Sequence, residues 1–402
     1  MPCRIEPAPP ARPATPAADL PEALAWIDAG LATLSADNLL RPHRVRTGKQ
    51  GAKVILDGRE LVNFGSNDYL GYAGDVRLTK AASRAACGEG FGAGASPLVS
   101  GHSQAHEHLE WAIADLLAVE AAVVFPSGFA TNSATIPALA GPGDAIYSDE
   151  RNHASLIDGC RLSRAAVHVY PHRDPAALGA MLAATAARRR LIVSDTLFSM
   201  DGTIAPLADL TDLARRHGAM LMLDEAHATG VFGDRGSGLV EESGCADGVH
   251  VRVGTLSKAL GAAGGFVAGH ARLIEWLRHA ARAWIFSTAH PPAIAGAATR
   301  AIELVAAEPE RRRALLERAT AFRERLTAAG LEIGDAAAQI VPVVAGEPAA
   351  AVALSARLAE AGFFVPAIRP PSVPKGKSLV RISLSWLHDD RDLARLADAL
   401  VS

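Results

Sequence analysis

Three stretches decide the fold: RLIVSD (190–195), AMLMLDEAH (219–227) and VRVGTLSKALG (251–261). Each opens as an aliphatic, β-branched run too short for an ordinary helix and ends on polar or small residues, as a strand buried on both faces does. Between the first two lies 207–217, where Leu207, Leu210 and Leu213 recur at helical spacing. Working outward, AAVVF (121–125), DAIYS (144–148), AVHVY (166–170) and GGFVAG (264–269) read the same way, separated by amphipathic segments such as 105–119 and 175–189. The alternation predicts an α/β domain built on a mostly parallel, seven-stranded, doubly covered sheet. Such a sheet binds its ligand at the carboxyl ends of its strands.

The flanks read differently. A helix is expected over 22–40, then KVILDG (53–58) and RELVNF (59–64) form a strand pair around Asp57-Gly58. A long helical region at 291–330 leads out of the α/β domain. The last 70 residues form a smaller α+β unit: QIVPVVAG (339–346) as a strand, 348–361 as a helix, FFVPAI (363–368) and SLVRISLS (378–385) as strands, then a closing helix. The expected organisation is a flexible arm at 1–20, a segment at 21–60 joining the small domain, a large cofactor domain at 61–295 and the small domain at 296–402.

Composition excludes several classes. The chain has 402 residues, of which 49% are apolar, and a formal net charge of −3. That is ample for a buried core, and it leaves no basic surplus for nucleic acid or an anionic membrane. Cys3, Cys87, Cys160 and Cys245 form no CxxC, which fits a reducing cytoplasm. No apolar run reaches a membrane span, and the proline- and alanine-rich start lacks a signal-peptide core. DEAH (224–227) spells a helicase motif, but no phosphate loop accompanies it; PSVPKGKS (371–378) has proline where the first glycine belongs. His102, His106 and His108 do not share a helix face and read as a locally bonded helix start, so no metal site is expected. The glycines of GEGFGAGAS do not fit GxGxxG.

Three features that follow strands fit one another. Ser127-Gly128-Phe129 opens a helix after AAVVF, and free N–H groups at a helix start favour a phosphate. Asp224 ends a strand with His227 three residues on; a buried aspartate needs a cation or a donor, which a protonated pyridine nitrogen supplies, though a structural Asp–His pair would also serve. Lys258, one of six lysines, follows a strand amid glycines and the hydroxyls of Thr255 and Ser257. Desolvation there would depress its pKa and make it a nucleophile. A phosphate cradle, a ring-nitrogen partner and an amine for an aldehyde are together what pyridoxal 5'-phosphate requires.

From about Arg41 onward the chain resembles the α-oxoamine synthases, pyridoxal-phosphate enzymes of the fold-type-I group. The blocks that carry the resemblance are NFGSNDYLGY (63–72), LVSGHSQAHEHLE (98–110), FPSGFATN (125–132), NHASLIDG (152–159), FSMDGTIAPL (198–207), DEAHATGVFG (224–233), TLSKALG (255–261), FSTAHPP (286–292) and AIRPPSVP (367–374). The resemblance implies that Lys258 bonds the cofactor, Asp224 faces its ring nitrogen and His153 stacks on the ring. It implies that His227 and Ser199 bond the ring oxygen, and that Gly128, Phe129 and Thr255 hold the phosphate, with Thr288 reaching in from the second subunit of a homodimer with shared active sites. Asn67 and Arg381 match positions that hold an amino-acid carboxylate; Arg41 matches a position associated with the acyl substrate, and Ser372 a substrate contact near the reaction centre. AIRPPSVP and LLRPH (39–43) favour members that condense L-alanine with a pimeloyl thioester, carried on coenzyme A (pimeloyl-CoA) or on an acyl-carrier protein. Sister reactions on glycine or serine use the same machinery, and an aminotransferase or a non-catalytic subunit are the more distant readings. Gly94-Ala95-Ser96-Pro97 departs from the family's frequent Gly-Gly-Ser-Arg, Ser372 stands where threonine is frequent, and Glu225 is not expected to be catalytic.

Overall fold

A computed structural model describes residues 20–401, so all of the expected arm but Leu20 lies outside the described residues. After a 3-10 turn at Glu22–Leu24, a helix covers Trp26–Ala36, shorter than the stretch expected at 22–40; Asn38, at φ +55°, turns the backbone out of the helix. Strands β1 (Arg46–Thr47), β2 (Lys53–Leu56) and β3 (Arg59–Asn63) follow, and β2 and β3 form the expected hairpin. Its turn puts Asp57 at φ +50° and Gly58 at +81°, the two positive values that let a two-residue loop match strand twist.

The seven expected strands all form: β4 (Ala121–Phe125), β5 (Ala145–Asp149), β6 (Ala166–Tyr170), β7 (Arg190–Asp195), β8 (Met220–Asp224), β9 (Val251–Thr255) and β10 (Gly265–Gly269). They make one sheet in the order β4-β10-β9-β8-β7-β5-β6, in which β10 alone runs against its neighbours. Side chains alternate between two apolar layers, with Leu191 and Val193 in one and Ile192 in the other. The 207–217 helix forms as read, burying Leu207, Leu210 and Leu213 and stopping at Gly218 with φ +58°. Glu225 and Arg252 form a buried ion pair at 2.6 Å, and Ser237 and the Leu117 carbonyl accept further guanidinium donors.

The C-terminal part departs from the sequence reading in two places. The helical region at 291–330 is two helices, Pro292–Ala307 and Pro309–Ala328, because Pro309 cannot continue the first but can start the second. FFVPAI (363–368) is not one strand. After β11 (Ile340–Gly346), it supplies β12 (Phe363–Phe364) and β13 (Ala367–Ile368), which belong to different sheets. Pro366 lacks the N–H that a continuous strand would need there. Thus β12 pairs in parallel with β3, Val62 opposite Phe363, while β13 pairs with β14 (Ser378–Ser383), which also pairs with β11. No helix among the described residues is long and apolar enough to cross a membrane.

Candidate active site

The carboxyl ends of β4, β7, β8 and β9 converge with the loop after β3 and with β14. Helix Gly128–Leu139 starts directly behind β4, capped by Ser127, whose hydroxyl accepts from the Ala130 amide at 3.0 Å. Its first amides have no acceptor within the helix and face outward as donors. A Cβ on Gly265 would lie 2.8 Å from the Gly128 Cα and 2.4 Å from the Thr131 hydroxyl, and one on Gly128 would lie 3.3 Å from the Thr255 hydroxyl. The helix start therefore sits against β9 and β10 only because these positions carry no side chain. Thr255 donates to the Gly264 carbonyl or shares a 2.7 Å contact with Ser257, so two hydroxyls stand beside the free amides.

Lys258 lies on the turn after β9, its Nζ 2.9 Å from His227 Nε2. Burial pushes its pKa down to about 8, while Asp224 and Asp195 pull it up and Arg381 pushes it further down. The other nitrogen of His227, Nδ1, is 2.6 Å from the Tyr69 hydroxyl. His227 is held well below the usual imidazole range by burial and then by the charges of Lys258 and Arg381. Tyr69 donates to Asn67 Oδ1 at 3.2 Å, and Arg381 donates to the same oxygen at 3.1 Å. Arg381 also donates through Nε to the Ser199 carbonyl. Its remaining nitrogen is buried without a protein partner, and among the described residues it has no ion pair. A buried guanidinium left this way is built to receive an anion.

Asp224 is not the partner of His227. Its carboxylate accepts from Asn132 Nδ2 at 2.6 Å and from the Ala226 amide at 2.8 Å, which rules out a structural Asp–His pair. Asn132 donates also to Ser155 on the helix Ala154–Ser163, whose cap is His153. The His153 amide donates to Asp195 at 2.7 Å, and its Nδ1 lies 2.7 Å from the Ser155 hydroxyl. Burial lowers the pKa of His153, and Lys258 lowers it further against the pull of Asp224. Asp195 sits opposite Asp224 in the register of β7 and β8, so burial and that neighbouring charge push its carboxyl well above the usual range. Glu225 is taken up by Arg252 and the Val240 amide and faces away from this cluster's chemistry.

The other expected residues lie further out. Arg41 and Ser372 are exposed on two segments far apart in the sequence that meet here: Arg41 donates to the Pro370 carbonyl at 3.2 Å, and the Ser372 amide to the Arg369 carbonyl. Ser199 enters the cluster through its carbonyl. Phe129 is exposed beside the helix start, and Thr288 is exposed and, among the described residues, bonded to none of these groups. Tyr69, Asn132 and Asp195 are members the sequence reading did not single out. Asn132 and Tyr69 lie inside two of the quoted blocks, and Asp195 ends a strand as Asp224 does, which was the available signal.

Residues 59–400 match the family model described as aminotransferase class I and II. The chain is 47% identical to an 8-amino-7-oxononanoate synthase of Symbiobacterium thermophilum, over 90% of this chain and 92% of that protein. Among solved structures it is similar to a serine palmitoyltransferase from S. paucimobilis with a bound PLP–myriocin adduct (28% identity, TM-score 0.89, 96% of this chain and 98% of that one). It is also similar to an 8-amino-7-oxononanoate synthase from Francisella tularensis (26% identity, TM-score 0.73, 85% and 97%). A mostly parallel seven-stranded sheet, a lysine on the turn after β9 and these matches over nearly the whole chain agree: the chain belongs to the aminotransferase class I and II family and, within it, to the α-oxoamine synthases.

Proposed function

We propose that the chain uses pyridoxal 5'-phosphate to condense L-alanine with a pimeloyl thioester, releasing carbon dioxide and the thiol carrier and leaving 8-amino-7-oxononanoate. The observation that carries an amino-acid reaction is Arg381: a buried guanidinium with one unpartnered nitrogen, joined through Asn67, Tyr69 and His227 to the amine of Lys258. The likeness to the Symbiobacterium enzyme supports alanine and pimeloyl over the sister substrates.

The residues present fit the cofactor. The side-chain-free contact of Gly128 with Gly265 leaves room for a phosphate at the amides of Gly128 and Phe129 and the hydroxyl of Thr255. Asp224, fixed by Asn132 and the Ala226 amide, would hold the ring nitrogen; His227 and Ser199 would serve the ring oxygen, and His153 the ring face. When bound, pyridoxal phosphate supplies an aldehyde for amines and a ring that draws electrons from the neighbouring carbon. Lys258 supplies the amine for that aldehyde, and, once free, takes the proton from the alanine Cα through Nζ; a pKa near 8 suits it to give and take protons near neutrality. Arg381 and Asn67 hold the alanine carboxylate, which fixes the Cα–H toward Lys258. The new bond joins the alanine Cα to the thioester carbonyl carbon as the thiolate leaves; the carboxylate then departs as carbon dioxide, and Lys258 returns the proton. Arg41 would serve the acyl chain, and Ser372, on the segment that Arg41 bonds, would contact the substrate near the reaction centre.

The protein acts as a homodimer with Thr288 completing the partner's site. Support comes from Leu98, Val99 and Phe286, large apolar side chains left exposed on the packed segments 97–101 and Arg282–Phe286, next to Thr288. The unpaired thiols of Cys87, Cys160 and Cys245 suit the reducing cytoplasm. Incubation with L-alanine and pimeloyl-CoA, or the pimeloyl carrier protein, should give 8-amino-7-oxononanoate by mass detection. Product only from glycine with succinyl- or acetyl-CoA, or from serine with palmitoyl-CoA, would overturn the assignment.

A further inference from the structure

We infer that Tyr69 is a positioning residue: its hydroxyl ties the ring of His227 to Asn67 and Arg381 and fixes which nitrogen of His227 carries the proton, hence whether Lys258 meets an acceptor. The inference rests on the reading of Lys258 as the reacting amine. The direction of every bond follows from one end of the chain. A guanidinium only donates, so the Asn67 atom 3.1 Å from Arg381 is its amide oxygen. That oxygen only accepts, so the hydroxyl of Tyr69, 3.2 Å away, donates to it. The tyrosine has a single O–H proton, and its oxygen must therefore accept from His227 Nδ1 at 2.6 Å. A neutral imidazole protonated at Nδ1 is bare at Nε2, and Nε2 is the atom 2.9 Å from Lys258 Nζ. Burial keeps both inner members neutral: it raises the Tyr69 hydroxyl to about 12 and lowers His227 far below its usual range.

Removing the hydroxyl would strand the Nδ1 proton in a buried site with no acceptor, which disfavours that tautomer. The other tautomer avoids this by moving the proton to Nε2, but then a donor faces the ammonium of Lys258. The ammonium is disfavoured, the free amine can accept, and Lys258 loses its proton at lower pH. The charged and titratable groups facing this pair are Asp224, Asp195, His153 and Arg381, and none of them is altered by deleting the tyrosine oxygen.

The test uses the full chain free of cofactor. In ¹⁵N-histidine protein, with the His227 signals assigned by their absence from His227→Gln, the wild type should show a protonated Nδ1 and a bare Nε2. Tyr69→Phe should move the proton to Nε2 and lower the midpoint pH for acetylation of Lys258, read by mass spectrometry, by about half a unit or more. A wild-type proton on Nε2 would overturn the inference without any variant, and so would an unchanged tautomer and midpoint in a folded Tyr69→Phe. Neither readout uses a substrate, so failure here leaves the condensation standing, and failure of the condensation leaves this arrangement standing.

Discussion

Arg381 is a buried guanidinium with no ion pair among the described residues, and Lys258 holds an amine whose hydrogen-bond partner is an imidazole. Both are prepared for something that arrives. Arg381→Leu should raise KM for alanine by roughly 10- to 100-fold, the worth of hydrogen bonds to a charged group, with a smaller effect on kcat; steady-state kinetics check it. Lys258→Ala should abolish turnover and the visible absorbance of the lysine-bound cofactor, whereas a retained band with normal turnover would dismiss the assignment. The pH dependence has a definite sign. Only the free base reacts with an aldehyde, so cofactor uptake by the unloaded chain should quicken as pH rises through about 8 and level off above it, which stopped-flow absorbance would follow. Lys258, Asp224 and His227 were legible because each follows a strand in an informative neighbourhood. Tyr69 was not: its meaning depends on His227, distant in the chain, and no spacing rule connects a tyrosine after a hairpin to a histidine after β8.

At the scale of elements, the helix Gly128–Leu139 is aimed by its contact with β10. Gly265→Ala would drive a methyl into the Gly128 backbone, an overpacking that costs about 1–3 kcal/mol. The helix start would shift, and cofactor affinity should fall about tenfold or more with the circular dichroism unchanged; a spectrophotometric titration measures it. All seven strands of the large sheet were readable because each is a short aliphatic run closed by polar or small residues. The register that sets Asp195 beside Asp224 was not, since it is fixed by how strands line up rather than by any run of residues. FFVPAI was misread for a related reason: its composition is uniform, and only the sheets on either side reveal that Pro366 divides it.

For the molecule as a whole, two buried histidines set an acid limit. His388 accepts from the Ser385 amide at Nδ1 and bonds the Asn63 carbonyl through Nε2, so both nitrogens are used in the neutral state. Burial lowers its pKa to about 4, and His290, bonded to the Phe125 carbonyl, falls equally far. The unfolded chain takes up these protons first, near pH 6.5. Stability is therefore full above that value, declines as pH falls toward 4 and changes no further on their account below it, by roughly 3 kcal/mol for each ring. Urea denaturation at pH 7 and pH 4.5 should show the loss, and His388→Asn should reduce its steepness. Phe286→Asp should yield a folded monomer by sedimentation, with activity lost if Thr288 serves the neighbouring protomer's site.

The pairing of Val62 with Phe363 has a consequence for how the chain is made. A ribosome releases β3 roughly three hundred residues before its partner strand exists, so during synthesis the hairpin waits with an open edge while the large sheet assembles beside it. Closing that loop comes among the last events, and it joins both ends of the polypeptide in one stroke. A nascent chain stalled before residue 363 would carry a finished large sheet and an unclosed hairpin, and so would be an aggregation hazard rather than a weakened enzyme.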